Sequence, residues 1–435
     1  MNENATSLVA PSLLREIVCP HCWHRFEPDN AVWIATHGDL YGDDKLGDDA
    51  MRRFLPTRFN VDGDALDPKG GVATATACPR CHLRIPRRQF ELPTLIFSIL
   101  GAPGSGKSYL LASMLWQTRQ ILPTQFHLSF ADSDATMNAR LIEYEERQFL
   151  ANDPDRLTWL AKTEEQGDLY DRVRIDERTI NLPKPFLFNI GPTSQHPHAD
   201  RASGLSRVLC LYDNAGESFL PGADETLGPV TGHLGQSEAL FFCFDPTQDP
   251  RFRSACSGLS SDPQMVQART SDRESSPGRT GATSRQDTIL TEAISRVRRG
   301  AGLREDQKIR GMLLVLVTKW DAWEYLLPGI DPHPPYASIG PGRMGIDEAR
   351  IKSVSDAVQS LLQRTCAEMV SAAQAISDTV LFMPVSATGV SPEVDPESGQ
   401  LGVRPRDLRP RWAEVPMLMA IARRTRGLID LGKPK

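Results

Sequence analysis

The sequence has no apolar run long enough to cross a bilayer. Its longest such runs, 240–244 and 312–317, fall far short of the roughly 20 residues that a transmembrane helix needs. The first residues, MNENA, also lack the basic segment followed by apolar residues that is typical of a secretory signal peptide. We therefore predict a protein without a membrane span that acts in the cytoplasm.

An excess of positive charge is missing as well. The 49 Lys and Arg residues and 55 Asp and Glu residues give a formal net charge of -6 at pH 7. This balance does not favour a nucleic-acid surface, and we expect no nucleic-acid partner. The chain has 435 residues, of which 40% are hydrophobic and 24% are charged. This length and composition are typical of one large or two to three modest globular domains.

Cysteine is scarce, with eight residues, and disulfides are not expected in a reducing compartment. Four of them form two Cys-Pro-x-Cys pairs, Cys19 with Cys22 and Cys78 with Cys81. Each pair is a turn that offers two thiolates to one tetrahedral metal ion, so we predict a Cys₄ zinc site. A redox dithiol is the alternative, which the repetition of the pair disfavours. The segment 24–77, rich in Asp and Gly, is predicted to be an insertion with little core of its own.

The apolar segment 95–100 leads directly into GAPGSGKS over residues 101–108, which we call the phosphate loop. This G-x-x-x-x-G-K-S pattern, between a predicted strand and a predicted helix, lets successive backbone N–H groups point at one phosphate. Lys107 is expected to contact the β- and γ-phosphates, and Ser108 to contact Mg²⁺. A plain Gly/Ser turn is the alternative. The predicted phosphate-binding residues are Gly101, Gly104, Ser105, Gly106, Lys107, Ser108 and Tyr109.

A second pattern, Asp-Asn-Ala-Gly, ends the apolar segment 207–213. At the carboxyl end of a parallel strand, the carboxylate of Asp213 could hold a water molecule bound to Mg²⁺. The backbone N–H of Gly216 could approach the γ-phosphate. A strand followed by an ordinary turn is the alternative.

Two further segments favour guanine as the base. Thr-Lys-Trp-Asp over 318–321 ends a strong apolar run, and the Asp carboxylate can accept from guanine N1–H and the 2-amino group, neither of which adenine has. The Lys stem can pack over the base, and Ser-Ala-Thr over 386–388 can offer a backbone N–H to guanine O6. The residues predicted at the base are Thr318, Lys319, Asp321, Ser386, Ala387 and Thr388.

Short, continuously apolar strands alternate with helices along the chain. This alternation predicts an α/β fold with a mostly parallel sheet that is covered on both faces. We predict a leader over 1–18, a zinc-ribbon-like element over 19–90 and a large α/β domain over 91–430. Within the large domain, residues 251–286 have the polar composition of a disordered loop.

With its four motifs in this order, the sequence resembles the Ras-like, translation-factor-related P-loop GTPases over about residues 92–428. The Cys₄ element, the insertions and the C-terminal helix resemble the bacterial double-GTPase group, although the chain has one complete phosphate loop. The resemblance implies a switch that binds GTP and GDP, with Mg²⁺ and Zn²⁺ as cofactors. It also implies slow GTP hydrolysis and a protein effector or activator in a bacterial signalling or conflict system.

The resemblance implies catalytic roles for Lys107, Gly216 and Glu217. Glu217 replaces the glutamine that often orients the attacking water in the family, which implies slow turnover. The switch threonine that contacts Mg²⁺ is not fixed, and Thr163 and Thr179 are the candidates. Two other functions remain open, an ATP-dependent P-loop enzyme and a non-hydrolysing adaptor that binds its nucleotide structurally.

Overall fold

A seven-stranded sheet forms the centre of the part of the chain that follows the cysteine pairs. The computed structural model describes residues 13–160, 170–176, 178–214, 232–266, 285–300, 302–304 and 306–432. In chain order, the strands of the sheet are β1 (Thr94–Gly101), β2 (Leu128–Asp132), β3 (Phe186–Pro192), β4 (Arg207–Asp213), β5 (Ala239–Phe244), β6 (Met312–Val317) and β7 (Val380–Pro384).

The strands lie in the order β2-β3-β4-β1-β5-β6-β7. The pairs β4–β1, β1–β5, β5–β6 and β6–β7 are parallel, whereas β2–β3 and β3–β4 are antiparallel. Strands β5 and β6 are buried along their whole length, because the inner strands of a parallel sheet are covered on both faces. The predicted α/β fold with a mostly parallel sheet is confirmed.

Six helices of ten or more residues accompany the sheet within the described residues. They are α1 (Lys107–Gln125), α2 (Ala139–Phe149), α3 (Gln286–Gly300), α4 (Glu348–Thr365), α5 (Ala367–Ile376) and α6 (Val415–Arg424). The sequence predicts one helix over 347–376, but Cys366 leaves the helical conformation, with φ -140° and ψ 56°, and separates α4 from α5. No helix in the described part of the chain is long and apolar enough to span a bilayer.

The prediction of disorder over 251–286 is wrong for residues 251–266. A short helix, Pro250–Ala255, begins where the carboxylate of Asp249 accepts hydrogen bonds from two backbone N–H groups. Phe252 is fully buried and packs edge-on against Trp323. Cys256 is buried in the same core, so a few apolar side chains fix a segment whose overall composition is polar. A second short helix spans Pro263–Val266, and the rest of the segment, 267–284, lies outside the described residues.

Small antiparallel sheets build the region of the cysteine pairs and the insertion between them. Their strands are Ile17–Val18 with Arg25–Phe26; Arg84–Ile85, Thr76–Ala77, Val32–Ile34 and Arg53–Phe54 in that order; Tyr41–Asp43 with Gly47–Met51; and Ala65–Leu66 with Val72–Ala73. The buried core of this region also includes residues of a later hairpin, Tyr170–Ile175 with Arg178–Pro183. The remaining strands are Tyr336–Gly340, Arg343–Asp347 and Asp430–Gly432 in one sheet, and Glu393–Val394 with Leu401–Gly402 in another.

Candidate nucleotide-binding site

The phosphate loop connects β1 to α1, as the pattern predicts. Gly106 precedes α1 with φ +84°, a left-handed conformation that glycine adopts without strain. A Cβ atom on Gly101 would lie 2.6 Å from the carbonyl oxygen of Cys243 on β5. The glycine therefore lets the loop start in close contact with the neighbouring strand.

Lys107 is the first residue of α1 and is only 8% exposed. Its Nζ donates hydrogen bonds to the carbonyl oxygens of Gly101 (3.0 Å) and Ala102 (2.9 Å), so the ammonium group is held against the loop itself. The neighbouring strand ends also hold the loop, since Gln248 donates to the carbonyl of Pro103 (3.0 Å) and Thr318 to that of Ser105 (3.3 Å).

Asp213 ends β4 beside this loop and pairs in register with Ile99 of β1. Its carboxylate is buried, and within the described residues neither oxygen has a hydrogen-bond partner. Burial raises the pKa of Asp213 to about 6, and the charge of Lys107 opposes the shift. A buried carboxylate with two unpaired oxygens needs a cation or proton donors. Its position at the phosphate loop suits the hard, oxygen-seeking Mg²⁺ ion.

A pocket of about 150 Å³ lies next to the phosphate loop, between the loops that follow β6 and β7. Its lining includes one part of the predicted nucleotide-binding set: Gly104, Gly106, Tyr109, Thr318, Lys319, Asp321, Ser386, Ala387 and Thr388. Gly101, Ser105, Lys107, Ser108 and Asp213 belong to the adjoining loop and strand ends and do not line this pocket.

Asp321 is held in the pocket by the loop that follows β7. Its Oδ1 accepts a hydrogen bond from the hydroxyl of Ser386, whose oxygen accepts in turn from the backbone N–H of Gly389 at 2.7 Å. Burial raises the pKa of Asp321, while the hydrogen bond from Ser386 lowers it. The backbone carbonyl of Ala387 accepts from Ser113 on α1 (2.7 Å), so this loop is tied to the helix of the phosphate loop as well.

Lys319 has a left-handed backbone, with φ +55°, and its ammonium group turns towards the end of β5. Nζ lies 2.6 Å from Asp245 Oδ2, 3.0 Å from Thr247 Oγ1 and 2.6 Å from Gln264 Oε1. The charged end of the side chain is thereby fixed, while the residue still lines the pocket. Packing of its stem over a base stays a prediction.

Several residues that line the pocket belong to none of the four motifs. They are Asp262, Gln264, Val390, Pro392, Leu401, Gly402 and Val403. The first two lie in the segment predicted to be disordered, and the others in and around the hairpin of Glu393–Val394 with Leu401–Gly402. Neither segment has a periodic pattern or a motif, so no signal in the sequence assigns these residues to a pocket.

The sequence predicts four further residues at the nucleotide and its Mg²⁺ ion. Gly216, Glu217 and Thr163 lie outside the described residues. Thr179 is exposed on the hairpin strand Arg178–Pro183, opposite Arg174. The buried face of that hairpin packs in the core of the cysteine region, and a role for Thr179 at Mg²⁺ stays a prediction.

The two cysteine pairs come together, with all four thiols buried. The Sγ atoms of Cys19 and Cys81 are 3.7 Å apart, as are those of Cys22 and Cys78. A tetrahedral ZnS₄ site with bonds of about 2.3 Å places its sulfurs roughly 3.8 Å apart, so the cluster has the dimensions of a zinc site. Backbone N–H groups also point at the sulfurs, from His21 to Cys19 (3.4 Å) and from Arg80 to Cys78 (3.3 Å).

The first cysteine turn contacts the large sheet at Tyr212, the residue that precedes Asp213 in the chain. The Tyr212 hydroxyl accepts a hydrogen bond from Trp23 Nε1 (3.2 Å) and donates one to the carbonyl of Pro20 (2.5 Å). Pro20 lies within the first cysteine pair, and Tyr212 is buried next to Asp213 on β4. The fold of the first cysteine turn and the position of the end of β4 are therefore physically connected.

Comparisons with known proteins give distant similarities. No family model matches the chain. "Putative ESX-1 scaffolding and assembly protein SaeC" of Mycolicibacterium smegmatis (strain ATCC 700084 / mc(2)155) is 23% identical over 244 residues, 52% of this chain and 57% of that protein. The chain thus spans little more than half the length of this relative.

Two solved structures are similar at low scores. Sup35 in complex with GDP has a TM-score of 0.21 and 12% identity, over 68% of this chain and 38% of that one. The Ski7 GTPase-like domain of S. cerevisiae, bound to GTP, has a TM-score of 0.26 and 13% identity, over 71% of this chain and 45% of that one. The function proposed below therefore rests on the residues of the pocket and the phosphate loop.

Proposed function

We propose that this protein is a GTP-binding switch that hydrolyses GTP slowly to GDP and phosphate. One observation carries the proposal: Gly104 and Gly106 of the phosphate loop line the same pocket as Asp321 and Ser386. A single nucleotide can therefore place its phosphates on the loop and its base against the Asp321 carboxylate.

The chemistry of the pocket favours guanine over adenine. A carboxylate accepts hydrogen bonds, and guanine offers N1–H and the 2-amino group on one edge. Adenine has a lone pair at N1 and only C2–H beside it, so it would offer no donor to the Asp321 oxygen that Ser386 does not already bond. Leaving a buried charged acceptor unpaired costs at least about 1–3 kcal/mol. This cost favours GTP over ATP as the ligand, and it disfavours the alternative of an ATP-dependent P-loop enzyme.

The chain's own residues supply the phosphate chemistry. The ammonium group of Lys107 would give up its hydrogen bonds to the loop carbonyls and bind the β- and γ-phosphate oxygens instead. The loop N–H groups and the N-terminus of α1 would stabilise the same negative charge. Ser108 and Asp213 are the residues we assign to Mg²⁺, which would neutralise charge on the phosphate oxygens. Hydrolysis adds water to the γ-phosphorus and breaks its bond to the oxygen bridging the β- and γ-phosphates.

We propose that the protein, as a switch, acts on a protein partner in the cytoplasm. Glu217 can accept from the attacking water but lacks the amide donor, and its charge repels the γ-phosphate, so a partner is expected to raise turnover. The name of the M. smegmatis relative describes scaffolding and assembly. In keeping with that name, we propose that the partner is a component of a protein assembly, rather than a nucleic acid.

The test is a titration of purified protein with GTP, GDP and ATP, in Mg²⁺ and in EDTA, followed by single-turnover hydrolysis of bound GTP. We expect GTP and GDP to bind much more tightly than ATP, and turnover to be slow. Tighter binding of ATP would contradict the guanine assignment. Tight GTP binding with no turnover, with or without candidate partners, would favour the non-hydrolysing adaptor.

A further inference from the structure

A second carboxylate, that of Asp262, lines the same pocket as Asp321. Asp262 precedes the short helix Pro263–Val266 and is only 1% exposed. Its Oδ1 accepts a hydrogen bond from the backbone N–H of Gln264 at 2.7 Å. Its Oδ2 is buried and has no hydrogen-bond partner in the part of the chain that the structure describes.

The residues around Asp262 hold it in place. Gln264, two residues later, accepts from the ammonium group of Lys319 at 2.6 Å, which anchors the segment to the loop after β6. On the other side, the side chain of Ser391 lies near the carboxyl group and lowers its pKa, but it makes no hydrogen bond to Oδ2 among the described residues. The hydrogen bonds from Gln264 to Asp262 and from Lys319 to Gln264 therefore hold Asp262 at the pocket before a ligand binds.

The two carboxylates lie close enough to influence each other. Burial raises the pKa of Asp321, and the charge of Asp262 raises it further. Burial also raises the pKa of Asp262, while the hydrogen bond from Gln264 and the charge of Lys319 lower it. Two like charges in a buried pocket destabilise each other unless hydrogen-bond donors lie between them. A ligand that presents several hydrogen-bond donors on one edge would relieve this repulsion.

Guanine presents three hydrogens on one edge, one at N1 and two on the 2-amino group. Asp321 would accept hydrogen bonds from N1–H and from one hydrogen of the 2-amino group, so the second amino hydrogen still lacks an acceptor. We propose that Asp262 accepts this remaining hydrogen through Oδ2, so that the 2-amino group is held between two carboxylates. Asp262 is then a specificity-determining residue. This role of Asp262 depends on the proposed guanine-nucleotide function, and the group that it would recognise is the 2-amino group of guanine.

The test compares the affinities of GTP, ITP and 2′-deoxy-GTP for the wild type and for Asp262→Asn. ITP lacks the 2-amino group, and 2′-deoxy-GTP lacks one ribose hydroxyl. An asparagine has a single acceptor oxygen, which the Gln264 N–H already requires, so its amide donor would face the amino group. We expect GTP and 2′-deoxy-GTP to bind roughly tenfold more weakly, and ITP to bind as well as before.

Asp306→Asn is the matched control, because it removes the same charge from an exposed side chain away from the pocket. Unchanged ITP affinity also reports that the pocket of Asp262→Asn is folded, and Asp262→Ala repeats the test if the asparagine variant is unstable. An equal loss for GTP and ITP would overturn the inference. So would a loss that disappears with 2′-deoxy-GTP, since it would assign Asp262 to the ribose.

Failure of the proposed function has a different signature. If the wild type binds none of these nucleotides at millimolar concentration, the guanine-nucleotide function fails, and the role of Asp262 fails with it. If the wild type binds GTP tightly and prefers it to ATP, but Asp262→Asn leaves the GTP-to-ITP ratio unchanged, only the role of Asp262 fails.

Discussion

The hydroxyl of Ser386 donates a hydrogen bond to the carboxylate of Asp321, and the two residues are separated by 65 positions in the chain. A backbone hydrogen bond from Trp320 to the carbonyl of Val385 (3.1 Å) runs beside it. Together these bonds join the loops at the carboxyl ends of β6 and β7. The orientation of the Asp321 carboxylate is therefore set by the protein, which reduces the entropy that a ligand loses on binding.

The choice of base can be reversed at this carboxylate. In Asp321→Asn the amide oxygen is expected to keep the bond from Ser386, so that the NH₂ group faces the 2-amino group of guanine. GTP should then bind about tenfold to a hundredfold more weakly, which corresponds to roughly 1–3 kcal/mol. Xanthine has a carbonyl in place of the amino group and should pair with the amide, so XTP should bind more tightly to the variant.

The measurement is the affinity of GTP, XTP and ATP for the wild type and for Asp321→Asn. We expect the phosphate contacts to be the same in all three ligands. ATP should bind no more weakly to the variant, because the carboxylate to which adenine offers no donor is gone. If Asp321 only stabilises the short helical turn that follows it, all three affinities will change alike. An unchanged ratio of GTP to XTP affinity would remove the main reason for assigning guanine.

The sheet could be predicted from the sequence because its inner strands are continuous apolar runs. Strand β4 begins and ends where the pattern predicts, at Arg207 and Asp213. The phosphate loop was predictable for a similar reason, since Lys107 and its glycines follow β1 without interruption. Local pattern and burial agree at these positions, and long-range contacts do not alter them.

The walls of the pocket could not be predicted, because long-range contacts form them. Asp262 is fixed through the bond between Gln264 and Lys319, a pair 55 residues apart. Val403 forms a β-bridge with Thr158, which lies 245 positions earlier in the chain. These segments have the composition of loops and are ordered by contacts with residues that are distant in the chain. Their own sequence does not show which residues those are. The break between α4 and α5 could not be predicted either, because no proline or glycine lies near Cys366 to mark the end of a helix.

Lys107→Ala should abolish measurable GTP binding and leave the fold intact. The lysine contacts the carbonyls of Gly101 and Ala102 rather than the apolar core, so its removal creates no large cavity. Titration calorimetry and thermal unfolding of the variant test both parts. Lys352→Ala, which removes an exposed lysine of α4, is the matched control. Equal GTP affinity in the wild type and Lys107→Ala would contradict the assignment of the phosphate loop.

The four clustered cysteines should bind about one zinc ion per chain. The double variant Cys19→Ser/Cys22→Ser removes half of the sulfur ligands and should lose the metal, as measured by elemental analysis of dialysed protein. It should also make residues 13–90 sensitive to protease, because their small core includes the cysteines themselves. Cys256→Ser, at a buried cysteine outside the cluster, should keep the full metal content.

A metal-free wild type whose residues 13–90 still resist protease would contradict the zinc site. In that case, two disulfides or a dithiol that responds to reductant would support the redox alternative. Thiol titration before and after reduction distinguishes these states, since zinc-bound thiolates are recovered as free thiols once the metal is chelated.

The last prediction concerns the cost of keeping Asp213 charged. Burial raises the pKa of Asp213 to about 6 in the folded protein, from an ordinary value of 3.8. The folded state therefore binds the proton more tightly than the unfolded state. The ionised form lowers stability above pH 6, and this penalty disappears as the pH falls below the ordinary pKa. In EDTA and without nucleotide, Asp213→Asn should therefore be more stable than the wild type at pH 8, by on the order of 1–3 kcal/mol.

The two proteins should become equally stable near pH 4, where Asp213 is protonated in the wild type and resembles an amide in charge. The same substitution should weaken GTP binding in Mg²⁺, because an amide holds a hydrated cation less well than a carboxylate. Unfolding by denaturant across the pH range, with GTP titrations at pH 7.5, measures both effects. Glu145→Gln is the matched control, since burial raises the pKa of this carboxyl too, but Glu145 pairs with Arg119 away from the phosphate loop. A variant that is less stable than the wild type at pH 8 would show that the Asp213 charge is already compensated in the folded protein. In that case, the argument that the position requires a cation would fail.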